Sequence, residues 1–153
     1  MKALTTENIN RILKENAITK RYYLGTFPGC VLPSSKIKHY SFITNTELHH
    51  ESGEHWNAWV IKGDKVIFFD SFGRDPRDPS FPELYKNILT KFKVFKFSKI
   101  QIQNITSFTC GYFCIHFIYI LSLGLDLEFF LHEYTDDFIK NDNVVINFVN
   151  MLF

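Results

Sequence analysis

"TSFTCGYFCIHF", residues 106–117, places two cysteines at the start of a long apolar run. Serine and threonine, residue types that favour helix N-caps, precede Cys110, and the pattern predicts a helix from Cys110 to about Leu123. The segment fits three interpretations: the start of a membrane span, a buried helix with inert cysteines, or a helix whose first residue is a nucleophile. The apolar run at 112–125 is shorter than the roughly 20 residues that a span needs, which favours a buried helix.

Length and composition bound the class of protein. The chain has 153 residues, of which 46% are hydrophobic and 22% are charged, and we expect one domain over residues 1–153 with a substantial core. The 17 phenylalanines and 7 tyrosines predict an aromatic-rich core and argue against disorder. The formal net charge of +1 gives no reason to expect a nucleic acid or a membrane surface as a partner.

The cysteine content and the N-terminal stretch indicate an intracellular protein. Cys30, Cys110 and Cys114 are too few, and odd in number, for a disulfide scaffold, which favours a reducing compartment. The stretch MKALTTENINRILKEN is polar and periodic and contains no apolar signal region, so we expect no secretion.

The order of the predicted elements favours an α+β fold. Strands in the middle of the chain, with a helix before them and helices after them, predict a mainly antiparallel central sheet with helices packed on it. The predicted strands are 39–45, 55–61, 66–70 and one or two within 93–103, with loops at 27–36 and 73–82. The predicted helices follow Thr5 or Thr6 and lie at 82–90, at 110–123, within 126–140 and within 143–153.

Cys110 is the candidate nucleophile. Cysteine catalysis requires a thiolate, which a neighbouring protonated histidine and a helix N-terminus both favour. Gly111 follows at a point where a side chain would crowd an approaching substrate backbone, and Cys114, one helical turn on, is predicted to be buried. Taken alone, Cys110 is better explained as an inert core thiol, because free cysteines are usually buried.

His55 is the histidine best placed to serve that cysteine. It opens the predicted strand at 55–61, where a ring can be held rigidly, and Trp56 beside it can exclude water. His49 and His50 lie in a polar run that is typical of a loop. Together with His55 they lack the spacing and the further ligands of a metal site, so we expect no metal.

Asp70 and Gln103 complete the candidate site. Asp70 ends a strand that can pair with the strand opened by His55, and pairing would bring the carboxylate beside the ring, where it can fix the tautomer. A turn residue at a strand end explains Asp70 equally simply. Gln103 ends the predicted strand before Cys110 and can donate its side-chain amide to a developing oxyanion, or it can be an exposed strand residue.

The order of these residues resembles that of the adenovirus protease (adenain) family. "SGEHWNAW" and "CGYFC" resemble the histidine and cysteine blocks of the family, and "YYLGTFPGCVLP" and "SFITNT" resemble its upstream segments. The resemblance covers about residues 5–123 in colinear order. It implies an adenain-like cysteine protease fold with the nucleophile at the N-terminus of a buried helix. The short chain suggests a smaller DNA virus or a Maverick-type virus-derived transposon as the source.

The resemblance also implies a role for each residue and a class of substrate. The family cuts viral precursor proteins, often at glycine-containing sites, so we expect capsid and core precursors as substrates, in the virion and in the host-cell nucleus or cytoplasm. The matching positions are Cys110 for the nucleophile, His55 for the general base, Asp70 for the orienting acid, Gln103 for the oxyanion hole, and Trp56 and Gly111 for supporting residues.

Activators of the family are in doubt for this chain. Adenoviral enzymes are stimulated by a viral peptide tethered to a cysteine between the acid and the nucleophile, and no cysteine lies between Asp70 and Cys110. We expect no required cofactor, no membrane and no metal, and we leave a peptide or DNA activator open. A solvated strand face is the favoured interpretation of the basic stretch at 91–99, with DNA binding as the alternative. The candidate DNA contacts are Lys91, Lys93, Lys96 and Lys99.

Two other functions compete with a viral protease. Proteases of ubiquitin-like modifiers share the fold and the same order of histidine, acid, glutamine and cysteine, and they cleave after a di-glycine tail. A non-catalytic capsid-associated binding protein could use the same scaffold, but the presence of all four catalytic positions argues against it.

Overall fold

The computed structural model describes residues 3–31, 33–46 and 55–152, which form a five-stranded sheet covered by helices. The order of the strands across the sheet follows their order in the chain. The elements are α1 (Thr6–Glu15), β1 (Tyr23–Pro28), β2 (His39–Asn45), β3 (Trp56–Lys62), β4 (Lys65–Phe69), α2 (Leu84–Leu89), β5 (Val94–Phe97), α3 (Cys110–Ser122), α4 (Leu127–His132) and α5 (Phe138–Asn150).

The sheet is mixed. Its three central strands are antiparallel, with β3 paired to β2 on one side and to β4 on the other. Each edge strand runs parallel to its neighbour: β1 beside β2, and β5 beside β4. A parallel neighbour requires a crossover connection, which α2 and its flanking loops provide between β4 and β5. The predicted α+β class is confirmed, and the antiparallel pairing is concentrated at the centre of the sheet.

Helices cover both faces of the sheet, which explains why the central strands contain continuous apolar runs. On one face α1, α3, α4 and α5 pack over side chains that include Ala58, Val60 and Phe69. On the other face α2 packs over side chains that include Trp59 and Phe68. Because β3 lies between these two layers, it is buried along almost its whole length.

The nucleophile helix α3 lies in the larger of these two cores. It is apolar around its whole circumference, a pattern typical of a fully buried helix, and it begins at Cys110 as predicted. At its other end Lys62 Nζ donates to the carbonyl oxygen of Leu121 at 3.3 Å, which places a cation where the helix dipole favours one. Within the described ranges, neither α3 nor another helix is long and apolar enough to cross a membrane.

Side-chain caps set the ends of the outer helices. Thr5 caps α1 in a capping box with Asn8, and the predicted apolar stripe of this helix is buried. The last helix was predicted within 143–153, but α5 begins earlier, at Phe138. The reason is local: the Asp137 side chain accepts a backbone N–H from the first turn and starts the helix there.

The segment before Cys110 is not a strand, so the prediction that Gln103 ends one is wrong. β5 ends at Phe97, and the backbone N–H groups of Ile102 and Gln103 both donate to the carbonyl oxygen of Ser71, at 2.9 and 3.2 Å. These bonds direct the chain across the turn that follows β4 instead of along the sheet. Gln103 therefore lies in a connection that crosses this turn.

The crossing requires a glycine. Gly73 has a φ of +77°, and a Cβ there would lie 2.7 Å from the carbonyl carbon of Ile100 and 2.9 Å from the backbone nitrogen of Gln101. Backbone atoms cannot rotate away as a flexible side chain can. Gly63, in the turn between β3 and β4, also has a positive φ of +59°, but a Cβ there would meet nothing within 4 Å.

We expect Gly73→Ala to lower the free energy of unfolding by roughly 3 kcal/mol or more, because it adds a backbone clash to the strain of a positive φ. Gly63→Ala is the matched control, because it adds only the strain of a positive φ and should lower the free energy of unfolding by about 1 kcal/mol. Urea unfolding followed by circular dichroism measures both values. Equal losses in the two variants would contradict the close approach of the two backbone segments.

Candidate active site

His55 and Asp70 meet where β3 begins and β4 ends. His55 directly precedes β3 and Asp70 directly follows β4, and the antiparallel register that pairs Ala58 with Phe69 brings these two ends together. His55 Nε2 lies 2.5 Å from Asp70 Oδ1. The structure thus joins the two side chains in the way that the strand pairing predicts.

Asp70 is fully buried and holds its charge through several donors. Besides His55, the Asn57 side-chain amide donates to Oδ1 at 2.8 Å. Arg74 donates to Oδ2 from its backbone N–H and from Nε, each at 3.1 Å. Burial raises the pKa of Asp70, but His55 and Arg74 outweigh burial and lower the pKa to about 2. The carboxylate is therefore ionised across the neutral range.

His55 lies between that carboxylate and the thiol of Cys110. Burial lowers the pKa of His55, but its hydrogen bonds to Asp70 and Cys110 and the charges of these groups raise the pKa to about 9. Because Nε2 of His55 is hydrogen-bonded to Asp70, Nδ1 is the ring nitrogen available to the thiol of Cys110. The ring of Phe72 stacks on the imidazole at a centroid distance of 5.0 Å and fixes its plane.

Cys110 is the first residue of α3 and has only 6% of its surface exposed. The helix N-terminus places a partial positive charge at this position, and the imidazolium of His55 adds a full one. Thr109 occupies the N-cap position, but its hydroxyl does not cap the helix and donates instead to Asp142 Oδ1 at 2.9 Å. A thiol in these surroundings can react as a nucleophile.

Trp56 and Gly111, the residues that follow His55 and Cys110 in the chain, pack against each other. A Cβ on Gly111 would lie 3.3 Å from Trp56 Cδ1 and 3.4 Å from Ile9 Cδ1. The glycine therefore lets α3 approach β3 and α1, and the space it leaves faces the core. The prediction that it makes room for a substrate backbone is wrong on this point. Trp56 is buried, and its carbonyl oxygen accepts a hydrogen bond from Cys114 Sγ at 3.3 Å.

Gln103 is held at both ends of its side-chain amide. Ser71 Oγ donates to Gln103 Oε1 at 2.5 Å, and Gln103 Nε2 donates to the backbone oxygen and the hydroxyl of Ser107 at 3.1 and 3.2 Å. Gln103 is only 1% exposed, so an exposed strand residue is excluded. It links the residue after Asp70 to the segment that leads into Cys110.

Sequence reasoning missed several residues that hold this site: Asn57, Phe72, Arg74, Ser71 and Ser107. A signal existed for Asn57, because it lies two residues after His55 in extended chain and so shares its face. The others lie in the turn after β4 and in residues 104–109 before α3, neither of which has a periodic pattern.

Metal binding has no support among the described residues, where no group of three His, Cys, Asp or Glu side chains could hold an ion. His49 and His50, which the sequence raised as possible ligands with His55, lie outside the described residues. His116 is buried in the core, and its Nδ1 is hydrogen-bonded to the hydroxyl of Tyr134.

The four lysines proposed as DNA contacts are exposed on and around the edge strand β5. Two of them have acidic neighbours: Lys93 Nζ lies 3.8 Å from an Asp64 carboxylate oxygen, and Lys96 Nζ lies 3.4 Å from Glu128. These carboxylates reduce the positive charge of the basic stretch at 91–99.

Comparison with solved structures identifies the class of the fold. No protein-family model and no curated protein matches the sequence. A crystal structure of the ASFV protease matches with a TM-score of 0.60 and 16% identity, covering 92% of this chain and 64% of that one. The chain thus shares the α+β fold of this cysteine protease, and it spans less than two thirds of the length of the ASFV protease.

Two further structures match less well. A selenomethionine form of the ASFV protease has a TM-score of 0.47 at 19% identity, over 71% of this chain and 42% of that one. The SUMO protease Ulp1, with its catalytic cysteine oxidised to a sulfenic acid, has a TM-score of 0.42 at 16% identity, over 74% of this chain and 54% of that one.

We expect Asp70→Asn to lower the pKa of His55 well below about 9, because burial still disfavours the imidazolium while the carboxylate that offsets burial is gone. The ring resonances of His55, followed by NMR from pH 5 to pH 10, report the midpoint. Asp75→Asn is the matched control, since Asp75 pairs with Arg77 in the same loop. An identical His55 midpoint in both variants would show that Asp70 does not hold the charge.

The ion pair between His55 and Asp70 also makes the free energy of unfolding depend on pH. The pKa of His55 is raised on folding, so its contribution is complete below the unfolded value of 6.5 and is lost as the pH rises through about 9. The pKa of Asp70 is lowered, so its contribution is lost as the pH falls through about 2. The difference in unfolding free energy between the wild type and Asp70→Asn should therefore shrink above neutral pH.

Proposed function

We propose that the protein is a cysteine endopeptidase with Cys110 as nucleophile, His55 as general acid and base, and Asp70 as the residue that orients it. The observation that carries this proposal is the hydrogen-bonded series in which the half-buried His55 ring joins the buried Asp70 to the buried Cys110. The likeness of the fold to that of the ASFV protease supports it. Each of the three groups lies at or next to the end of a strand or helix, which can hold a preorganised site.

The proposed reaction has two stages. The Cys110 thiolate attacks the carbonyl carbon of the scissile peptide bond, and His55 passes its proton to the departing amine. This leaves an acyl group on sulfur as a thioester. His55 then takes a proton from a water molecule, whose oxygen attacks the thioester, and the carboxylic acid and the thiol are released. Asp70 stays ionised throughout and stabilises the imidazolium.

Each stage creates a negative oxygen that needs donors. The side-chain amide of Gln103 and the backbone N–H at the start of α3 are the proposed donors. The helix dipole at that N-terminus adds to their effect. Trp56 and Gly111 support the site from below by setting the approach of α3 to β3.

We infer that the substrates are viral capsid or core precursors cut at glycine-containing sites. The sequence blocks around His55 and Cys110 that resemble adenain support this substrate class, as does the fold shared with the ASFV protease. Cleavage of a ubiquitin-like modifier after its di-glycine tail is the alternative, because the same order of catalytic residues serves that reaction.

We propose further that no disulfide-tethered activating peptide is needed, since no cysteine lies between Asp70 and Cys110. If DNA stimulates the protein, we propose that it binds through the exposed side chains of Lys91 and Lys99. Lys93 and Lys96 are weaker candidates, because each has a carboxylate within 4 Å.

We expect Cys110 to react with iodoacetamide at pH 5–7 at least about ten times faster than the exposed Cys30, because the imidazolium of His55 favours a thiolate beside it. His55→Ala should remove this advantage. His132→Ala, at an exposed histidine, is the control and should leave the rate unchanged. Mass spectrometry assigns each adduct to its cysteine. A Cys110 no faster than Cys30, or one indifferent to loss of His55, would sink the protease proposal.

Cleavage assays then divide the substrate classes. A panel of peptides with glycine-containing sites is compared with a fusion that carries a ubiquitin-like domain ahead of its di-glycine tail. Cys110→Ala should abolish every cleavage that the wild type performs, by a factor of at least about a thousand. Preference for the folded fusion over all peptides would favour the alternative function.

A further inference from the structure

A series of hydrogen bonds joins α5 to the candidate oxyanion donor. Asp142 Oδ1 accepts from Thr109 Oγ1 at 2.9 Å, and Thr109 Oγ1 lies 2.8 Å from Ser107 Oγ. Ser107 Oγ in turn accepts from Gln103 Nε2 at 3.2 Å. Asp142 is only 8% exposed and Thr109 only 3%, so water competes little for these bonds.

The carboxylate gives the series a direction. A carboxylate only accepts hydrogen bonds, so the single hydroxyl hydrogen of Thr109 is committed to Asp142. Ser107 is then the donor in its contact with Thr109, and its hydrogen also has the backbone oxygen of Asn104 within reach at 2.9 Å. In either arrangement the Ser107 hydroxyl donates away from Gln103 and presents a lone pair to it.

The other end of the series fixes which way the Gln103 amide faces. Ser71 Oγ donates to Oε1, so the amide oxygen points to Ser71 and the nitrogen points to Ser107. The backbone oxygen and the hydroxyl of Ser107 belong to one residue, and both accept from this nitrogen. One N–H can serve both as a three-centre bond, which leaves the second N–H for a reacting carbonyl.

A neighbouring side chain on α5 holds the start of the same segment. Asn141 Nδ2 donates to the backbone oxygens of Ile102 at 3.0 Å and Thr135 at 2.7 Å. Asn141 Oδ1 accepts from the backbone N–H of Thr135 at 3.0 Å, which fixes the amide. Asn141 and Asp142 therefore anchor residues 102–109 at both ends, between Gln103 and the first turn of α3.

We propose that Asp142 is a positioning residue that orients the Gln103 side-chain amide for the reaction, acting through the hydroxyls of Thr109 and Ser107. The inference rests on the proposed protease function and extends it to a helix that contributes no residue to the catalytic series. Asp142 does not touch the substrate. It fixes the direction of the hydrogen bonds that present one N–H of Gln103 to the oxyanion.

The test compares Asp142→Leu, which has similar size and no acceptor, with Asp142→Asn, which keeps an acceptor oxygen. Removing an oxyanion donor altogether costs about 100- to 1,000-fold in kcat, and Gln103→Ala sets this limit here. We expect Asp142→Leu to lower kcat for peptide cleavage about 10- to 100-fold, with KM changed by less than about 3-fold. Asp142→Asn should recover most of the loss.

Alkylation separates positioning from a general loss of structure. Attack on iodoacetamide displaces iodide from a saturated carbon and creates no oxyanion, so Asp142→Leu should leave the alkylation rate of Cys110 near that of the wild type. Adding Asp142→Leu to Gln103→Ala should lower kcat little further, because the group that it positions is absent. Asp136→Asn, an exposed aspartate just before α5, is the charge control and should behave as the wild type.

Three results would overturn the proposal: an unchanged kcat in Asp142→Leu, equal losses of cleavage and alkylation, or fully additive effects with Gln103→Ala. If Asp142→Leu does not fold, Thr109→Val, which removes the hydroxyl and keeps the shape, is expected to give the same pattern and decides the matter by the same criteria.

An NMR readout keeps this inference separate from the protease function. The side-chain amide protons of Gln103, assigned by their disappearance in Gln103→Ala, should exchange slowly in the wild type and shift in Asp142→Leu. This holds whether or not the protein cleaves peptides. An unchanged amide signal overturns the positioning link. The expected shift in a protein that cleaves no substrate would overturn the protease function and leave the link standing.

Discussion

The close approach of α3 to β3 is the constraint on which the candidate site depends. Gly111 adjoins Cys110, and Trp56 adjoins His55. The contact between Gly111 and Trp56 therefore sets the spacing of the two reactive side chains. α3 can take this position because it is apolar on every side and is enclosed by the sheet, α1, α4 and α5. Dense packing resists displacement, so the nucleophile is held by the core and not by a mobile loop.

A second requirement is electrostatic. A buried carboxylate is costly unless it is paired and hydrogen-bonded, and Asp70 meets this condition through His55, Asn57 and Arg74. Arg74 is itself held over the ring of Phe81, with its guanidinium carbon 4.4 Å from the ring centre. Two cationic groups thus contact one anionic group, and one of them, the imidazolium of His55, is also hydrogen-bonded to the cysteine. The carboxylate of Asp70, which these partners keep ionised in the core, also favours the protonated form of His55.

Much of this arrangement follows from the sequence, because it depends on elements with a strong pattern. The apolar run after Cys110 has the length of a buried helix, and paired strands that begin at His55 and end at Asp70 must bring these residues together. Gln103 was identified as a donor but assigned to the wrong element. Apolar and polar residues alternate in its segment as they do in a strand. The carbonyl oxygen of Ser71 nevertheless accepts hydrogen bonds from two N–H groups of the segment, and a local sequence pattern cannot predict an acceptor so far away in the chain. A strand at β5 was predicted, but its parallel direction was not, since the direction of a strand is set by the path of its connection. β1 was not predicted as a strand at all.

The packing around Gly111 has a consequence for how the sequence can vary. The missing Cβ is bounded by Trp56 on β3, by Ile9 on α1 and by Leu4 just before α1, so four positions from three parts of the chain share one small volume. A Cβ at 111 would make tight contacts with these side chains, so a residue larger than alanine there favours a smaller residue at one of the other three positions. Variation at these positions should therefore be correlated, and a library that changes them together will contain more folded sequences with a larger residue at 111 than one that changes position 111 alone.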